Sequence, residues 1–276
     1  MNDVKVTRFA VSFHRTFLMR LPAVASLLSL SIKYSEEQKL TTKFIKEHTT
    51  LGSNHLEAMP RYAICVGLLD IDKRPTEFGR QAYLFDPQLT HPSTQWLMHY
   101  NISCPIGRGP LFWSKLVQTF FTPENSFSDN LLLSVLMETN PHIQKDVLSE
   151  ARTAFIGSYT RDGLMYLHLI DFEDGNYHIP FPESPVSLWA MAIAFLDYCQ
   201  RAYPGRATAN LQDFLDNSGF EHIFLCSANR INKMLFLLKD HGYIDLFMTS
   251  PPYQIAFLKW DTAPLWEKVY NASDLD

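Results

Sequence analysis

The chain has 276 residues, of which 46% are hydrophobic, 13% aromatic and 19% charged; that composition builds a packed core and excludes a disordered polymer. The formal net charge is −5, so there is no molecule-wide basic field and any nucleic-acid contact must come from a local patch. The four cysteines (Cys65, Cys104, Cys199, Cys226) form no Cys-x-x-Cys pair, which argues against a zinc knuckle and for free thiols in a reducing cytoplasm.

The length accommodates two or three small domains. Met1 to His48 carries eight Lys and Arg against four acids, a local basic excess. Val4 to Phe17 reads as a strand or extended arm. Leu18 to Ile32 is apolar-rich, but Arg20, Pro22 and several serines interrupt it, so a buried amphipathic helix is expected rather than a signal peptide or a membrane span. Ser35 with Gln38 spells a capping box, predicting a helix from Ser35 to about His48. Ser53 or Asn54 then caps a helix that ends near Cys65, with Gly67 just past it. Pro60 implies either a kink or a helix starting there. Leu68 to Ile71 reads as a short strand, and Thr76 opens another helix.

Beyond a Pro-punctuated loop at Phe85–Thr94, helices are expected over Ser93–Ser103, Pro110–Phe121, Ser128–Glu138 and Ile143–Thr160, their aromatic rings forming core. Leu164–Leu169 and Tyr177–Phe181 read as a hairpin around Asp171-Phe172-Glu173-Asp174-Gly175, a solvated turn rather than a carboxylate cluster. Ser184 opens a long helix, Pro185 to Ala202. Tyr203-Pro204-Gly205-Arg206 marks a boundary.

The stretch from Asn210 to Trp260 is the most informative. A short helix is followed by a linker, Gly219 to Cys226. Ser227 then caps a helix from Ala228 to His241, with Ile231, Met234, Leu235 and Leu238 as its buried stripe. Tyr243–Met248 and Tyr253–Trp260 form a hairpin. That order is the order of a winged helix-turn-helix, whose second helix enters the major groove by its N-terminal end. Ser227, Asn229, Arg230, Asn232 and Lys233 are therefore the DNA-contact candidates, because Asn and Arg read adenine and guanine edges while Lys holds phosphate. Lys43, Lys46, Asn54, Arg61 and Arg108 are secondary candidates for DNA or anion contact. Packing against a protein partner is the competing reading of the same polar face.

Catalytic motifs are missing. His91 and His99 with Asp86 lack a metal-ligand spacing, and Cys104-Pro105-Ile106-Gly107-Arg108-Gly109-Pro110 lacks the lysine of a phosphate-binding loop, although it could hold an anion at the following helix. No metal, cofactor or enzyme activity is expected. The predicted fold is mainly α. Winged helix-turn-helix-like units at 1–84 and 206–276, each with a small β-hairpin, flank a helical middle domain at 85–205.

The run Thr76-Glu77-Phe78-Gly79-Arg80, followed by Asp86-Pro87 and Trp96-Leu97-Met98-His99, resembles an uncharacterised bacterial family, domain of unknown function 4007. Leu51-Gly52-Ser53-Asn54, Gly67-Leu68-Leu69, Phe112-Trp113, Phe120-Phe121 and Gln144-Lys145-Asp146 agree with it in order. Glu57 and Pro60 depart from that family's more basic helix after Leu51-Gly52. The family stands beside DNA phosphorothioate modification and anti-phage genes. The resemblance implies a cytoplasmic, DNA-directed accessory component of defence, acting on duplex DNA. It also implies a partner similar to phosphoadenosine-phosphosulfate reductase, a sulfurtransferase. Two alternatives stay open: an adaptor that assembles a sulfurtransferase or ATPase without touching DNA, and a cryptic nuclease or DNA-modifying enzyme. A homodimer is equally open.

Overall fold

A computed structural model describes residues 8–35 and 37–271. The chain is mainly helical, with two small antiparallel sheets among the described residues. A 3-10 turn (Val11–His14) precedes α1 (Leu21–Tyr34), α2 (Thr42–His48), α3 (His55–Cys65) and α4 (Glu77–Phe85). The middle runs α5 (Pro92–Ser103), α6 (Leu111–Phe120), β1 (Ser126–Ser128), α7 (Asp129–Thr139), α8 (Lys145–Thr160), β2 (Asp171–Glu173), β3 (Asn176–His178) and α9 (Leu188–Ala202). The remainder is β4 (Thr208–Asn210), α10 (Leu211–Ser218), α11 (Phe220–Ile223), α12 (Ala228–Asp240), β5 (Ile244–Phe247), β6 (Gln254–Phe257) and α13 (Ala263–Asn271).

Helix α5 is the pillar. It is buried on nearly every face, Thr94, Gln95, His99 and Ser103 included. Buried polar groups must be paired, and these reach outward to tie the neighbouring elements in. Ser93 Oγ donates to the Val269 carbonyl and Thr94 meets the Tyr270 hydroxyl, both at 3.1 Å, which fastens α13. Gln95 Nε2 donates to the Leu89 carbonyl at 2.6 Å and Trp96 Nε1 to the Ser184 carbonyl at 2.8 Å. The Tyr159 hydroxyl, from α8, accepts from Trp113 Nε1 at 3.0 Å and lies 2.8 Å from His99 Nδ1. Tyr100 donates to Asp197 Oδ2 of α9 at 2.8 Å.

Local signals place many of the ends. Thr76, Ser128 and Ser187 each accept a backbone N–H three residues on, capping α4, α7 and α9. Gly67, at φ +81°, lets the chain leave α3 where a Cβ would strike the Asn101 side chain at 2.4 Å. Pro60 sits inside α3, which starts at His55, so the helix does not begin at the proline.

Several expectations are corrected. Ser35 closes α1, its N–H donating to the Ser31 carbonyl, and the next helix starts at Thr42 behind a Thr41 cap; Glu36 lies outside the described residues. The expected arm is a 3-10 turn over Val11–His14, its first part (4–7) lying outside the described residues. Leu68–Ile71 makes only an isolated bridge, Leu69 to Pro75. The middle is not all-helical, because β1, β3 and β2 pair there. The hairpin uses Asp171–Glu173 and Asn176–His178 around Asp174-Gly175, and part of Leu164–Leu169 is a 3-10 turn at Met165–Leu167. The Gly219–Cys226 linker contains α11. Strands β1 and β4 and helix α13 have no counterpart in the sequence expectation.

Candidate nucleic-acid interface

The C-terminal elements run β4, α10, α11, α12, β5, β6, with the sheet ordered β4-β6-β5. Asn210 ends β4 and also caps α10, its Oδ1 accepting from Gln212 N at 2.7 Å. Gly219, at φ +69°, closes α10, and Gly242, at φ +67°, closes α12. The stripe Ile231, Met234, Leu235 and Leu238 is buried, and α12 packs on α9. The opposite edge stays open: Ser227, Asn229, Asn232 and Lys233 are all exposed. The Ser227 side chain makes no capping bond, while its carbonyl accepts from Arg230 N at 2.9 Å and from Ile231 N at 3.3 Å.

Arg230 does not join that edge. Its Nη2 donates to the Val186 carbonyl, the loop before α9, and its Nε is buried. The helical repeat explains this, since Arg230 lies one turn before the buried Met234. The cation anchors α12 to the middle of the molecule. Phe236, one turn after Asn232 and Lys233, is exposed, as are Phe247, Met248 and Tyr253 around the β5–β6 turn.

The secondary candidates are scattered. Lys43 and Lys46 are exposed on α2, with Lys43 3.9 Å from Glu47. Asn54 is exposed at the start of α3. Arg61 is engaged: Nη1 donates to the Phe13 carbonyl at 3.2 Å and Nη2 sits 3.6 Å from Glu57. Arg108 stands apart at the mouth of a cleft described below. His91 caps α5, its Nδ1 accepting from Ser93 N, and Asp86 accepts from Thr90 N and His91 N, so these residues organise a loop. His99 is fully buried; burial holds its pKa down to about 3, against a smaller upward pull from the Ile223 carbonyl. Asp171, Glu173 and Asp174 are exposed around a turn, as expected. All four cysteines are free.

No family model and no curated protein matches the chain. A magnesium ion-bound SspB crystal structure is similar at a TM-score of 0.72 and 16% identity, over 98% of this chain and 90% of that one. The chain is folded like SspB. A second SspB crystal structure is similar at a TM-score of 0.70 and 16% identity, over 96% of this chain and 89% of that one. The likeness to SspB runs through nearly the whole chain, so the N-terminal helices, the α5 pillar and the C-terminal sheet belong to one shared architecture. No helix among the described residues is long and apolar enough to cross a membrane.

Proposed function

We propose that the chain is a DNA-binding accessory component of a bacterial DNA phosphorothioate modification or anti-phage defence system. The observation that carries this reading is the open polar edge at the start of α12. In it Ser227, Asn229, Asn232 and Lys233 are exposed on a helix whose other face is buried. The order β4, α10, α11, α12, β5, β6 fits a winged helix-turn-helix, with α12 as the groove-entering helix and the β5–β6 turn as the wing. The positive end of the helix, without a side-chain cap, favours a phosphate at this point. Lys233 adds a phosphate contact, and Asn229 and Asn232 have the paired donor and acceptor that suit an adenine edge. The resemblance to domain of unknown function 4007 supplies the defence setting, and the SspB-like fold is compatible with it.

Magnesium is bound by the SspB structure named above. Among the described residues no group of three or more His, Cys, Asp or Glu is placed to hold a metal ion.

Duplex binding tests the reading. Asn229→Ala, Asn232→Ala and Lys233→Ala together should weaken duplex affinity about ten- to a hundredfold in a gel-shift titration. Lys233→Ala alone should reduce the salt slope by about one counterion. Undiminished affinity in the triple variant removes α12 from the interface. Parallel titration of phosphorothioate and unmodified duplexes reads out the modification preference.

A second reading is favoured by exposed Phe236, Phe247, Met248 and Tyr253 on the same unit. Rings of this kind suit an adaptor surface for a sulfurtransferase or another subunit. Retention of a co-expressed sulfurtransferase, lost in Phe236→Ser with Phe247→Ser, would select it when duplex binding fails.

A further inference from the structure

A deep cavity lies away from α12. It has a volume of about 420 Å³ and is walled by the end of α3, the start of α4, α5, α9 and the segment from β6 into α13. This size is within the range of small-molecule sites.

Its charged groups are arranged in a specific way. Asp197 accepts from Tyr100 at 2.8 Å and from Arg201 Nη2 at 2.7 Å, so the floor is neutralised internally. Glu77 is engaged by Arg80 at 3.4 Å and Gln81 at 2.9 Å. One oxygen of Asp70 already accepts two backbone N–H groups, from Asp72 and Arg74. Arg108 has no such partner: it is exposed, lines the cavity, and pairs with no carboxylate among the described residues.

The loop around Arg108 is held in place by sterics. A Cβ at Gly107 would meet the Asn101 carbonyl at 2.8 Å, and one at Gly109 the Ile102 carbonyl at 2.0 Å. The two glycines thus press the loop onto the end of α5 and present Arg108 between them. Trp260, half-buried with its ring 4.6 Å from that of Phe257, lines the same cavity.

We propose that this cleft binds one nucleotide unit, its phosphate on Arg108 and its base against Trp260. A planar guanidinium matches phosphate oxygens in a bidentate fork, and an indole face accepts any base. Asn101 and Gln200, also on the wall, offer amide donors and acceptors to the base edge or sugar. The unit is a free nucleotide or the end of a single strand; the chemistry is the same. The inference stands apart from the duplex contact assigned to α12.

Calorimetric titration of the full chain with dAMP, with deoxyadenosine and with a 5′-phosphorylated single-stranded deoxyoligonucleotide tests it. Saturable binding of dAMP assigns free nucleotides, and binding of the strand alone assigns a strand end. In either case affinity should exceed that for deoxyadenosine at least tenfold, by about the contribution of one charge-assisted contact. Arg108→Ala should weaken it about ten- to a hundredfold, and Trp260→Leu should weaken it too. Arg108 is exposed, so its variant keeps the fold, checked by circular dichroism. Duplex affinity should be unchanged in Arg108→Ala, and dAMP affinity unchanged in the α12 triple variant. Failure of all three ligands to bind, or binding indifferent to both substitutions, overturns the proposal.

Discussion

His14 and His99 are completely buried, and burial holds their pKa values near 4 and 3. In an unfolded chain both would titrate at the ordinary value of about 6.5. Between that pH and the folded values the unfolded state binds more protons, so stability is full above about 6.5 and falls as pH drops toward 4 and then 3. Each histidine contributes a slope of about 1.4 kcal/mol per pH unit inside the window. Thermal melts should therefore show a falling Tm from pH 7 to pH 5, and His99→Gln should flatten that slope even though it lowers Tm at pH 7. An unchanged slope would mean that His99 is protonated in the fold. Tyr159→Phe leaves Trp113 Nε1 and His99 without their shared partner, and should cost about 1–3 kcal/mol in urea unfolding.

Among the elements, α4 sits tightly against the turn that leaves α3. A Cβ at Gly79 would lie 2.0 Å from the Leu68 carbonyl, a backbone atom with no room to yield. Gly79→Ala should thus destabilise by about 1–3 kcal/mol, despite the better helix propensity of alanine, as urea midpoints would show. The same scale explains what could be read from sequence. The caps at Thr76 and Ser128, the apolar stripe of α12 and the hairpin after Gly242 are local, and each was legible. The Ser35 capping box is also local, but it lost to continuation of α1, which buries Leu27, Leu28 and Leu30. Strands β1 and β4 were not legible: each is three residues long and exists through pairing with β3 and β6, far along the chain. The open edge of α12 was legible as polar positions, yet the inward turn of Arg230 was not, because its partner, the Val186 carbonyl, is brought to it only by tertiary packing. The nucleotide-sized cleft was legible only through Gly107-Arg108-Gly109. Its other walls come from five separate stretches of sequence.

At the scale of the whole molecule, α13 packs back onto α4 and α5, far from it in sequence. Trp266 stacks on Phe78 of α4, with ring centroids 5.9 Å apart and planes within 9°, and Tyr270 stacks on Phe85 at 4.8 Å. Val269 and Tyr270 are held by α5. Trp266→Ala should open a cavity between α4, α5 and α9 and cost about 3–5 kcal/mol in chemical denaturation. Because α13 also walls the cleft, that variant should lose nucleotide affinity, while duplex binding measured below the melting transition should persist. Loss of both together would show that the α12 edge and the α13 seam fold as one cooperative unit.

That seam has a consequence for biosynthesis. Phe78 emerges from the ribosome roughly 190 residues before Trp266, and at about 5–20 residues per second the interval is about 10–40 s. Throughout it the aromatic flank of α4 has no cover of its own. Helix α4 is thus left with a sticky face until α13 has emerged, which makes it a natural client for a ribosome-associated chaperone.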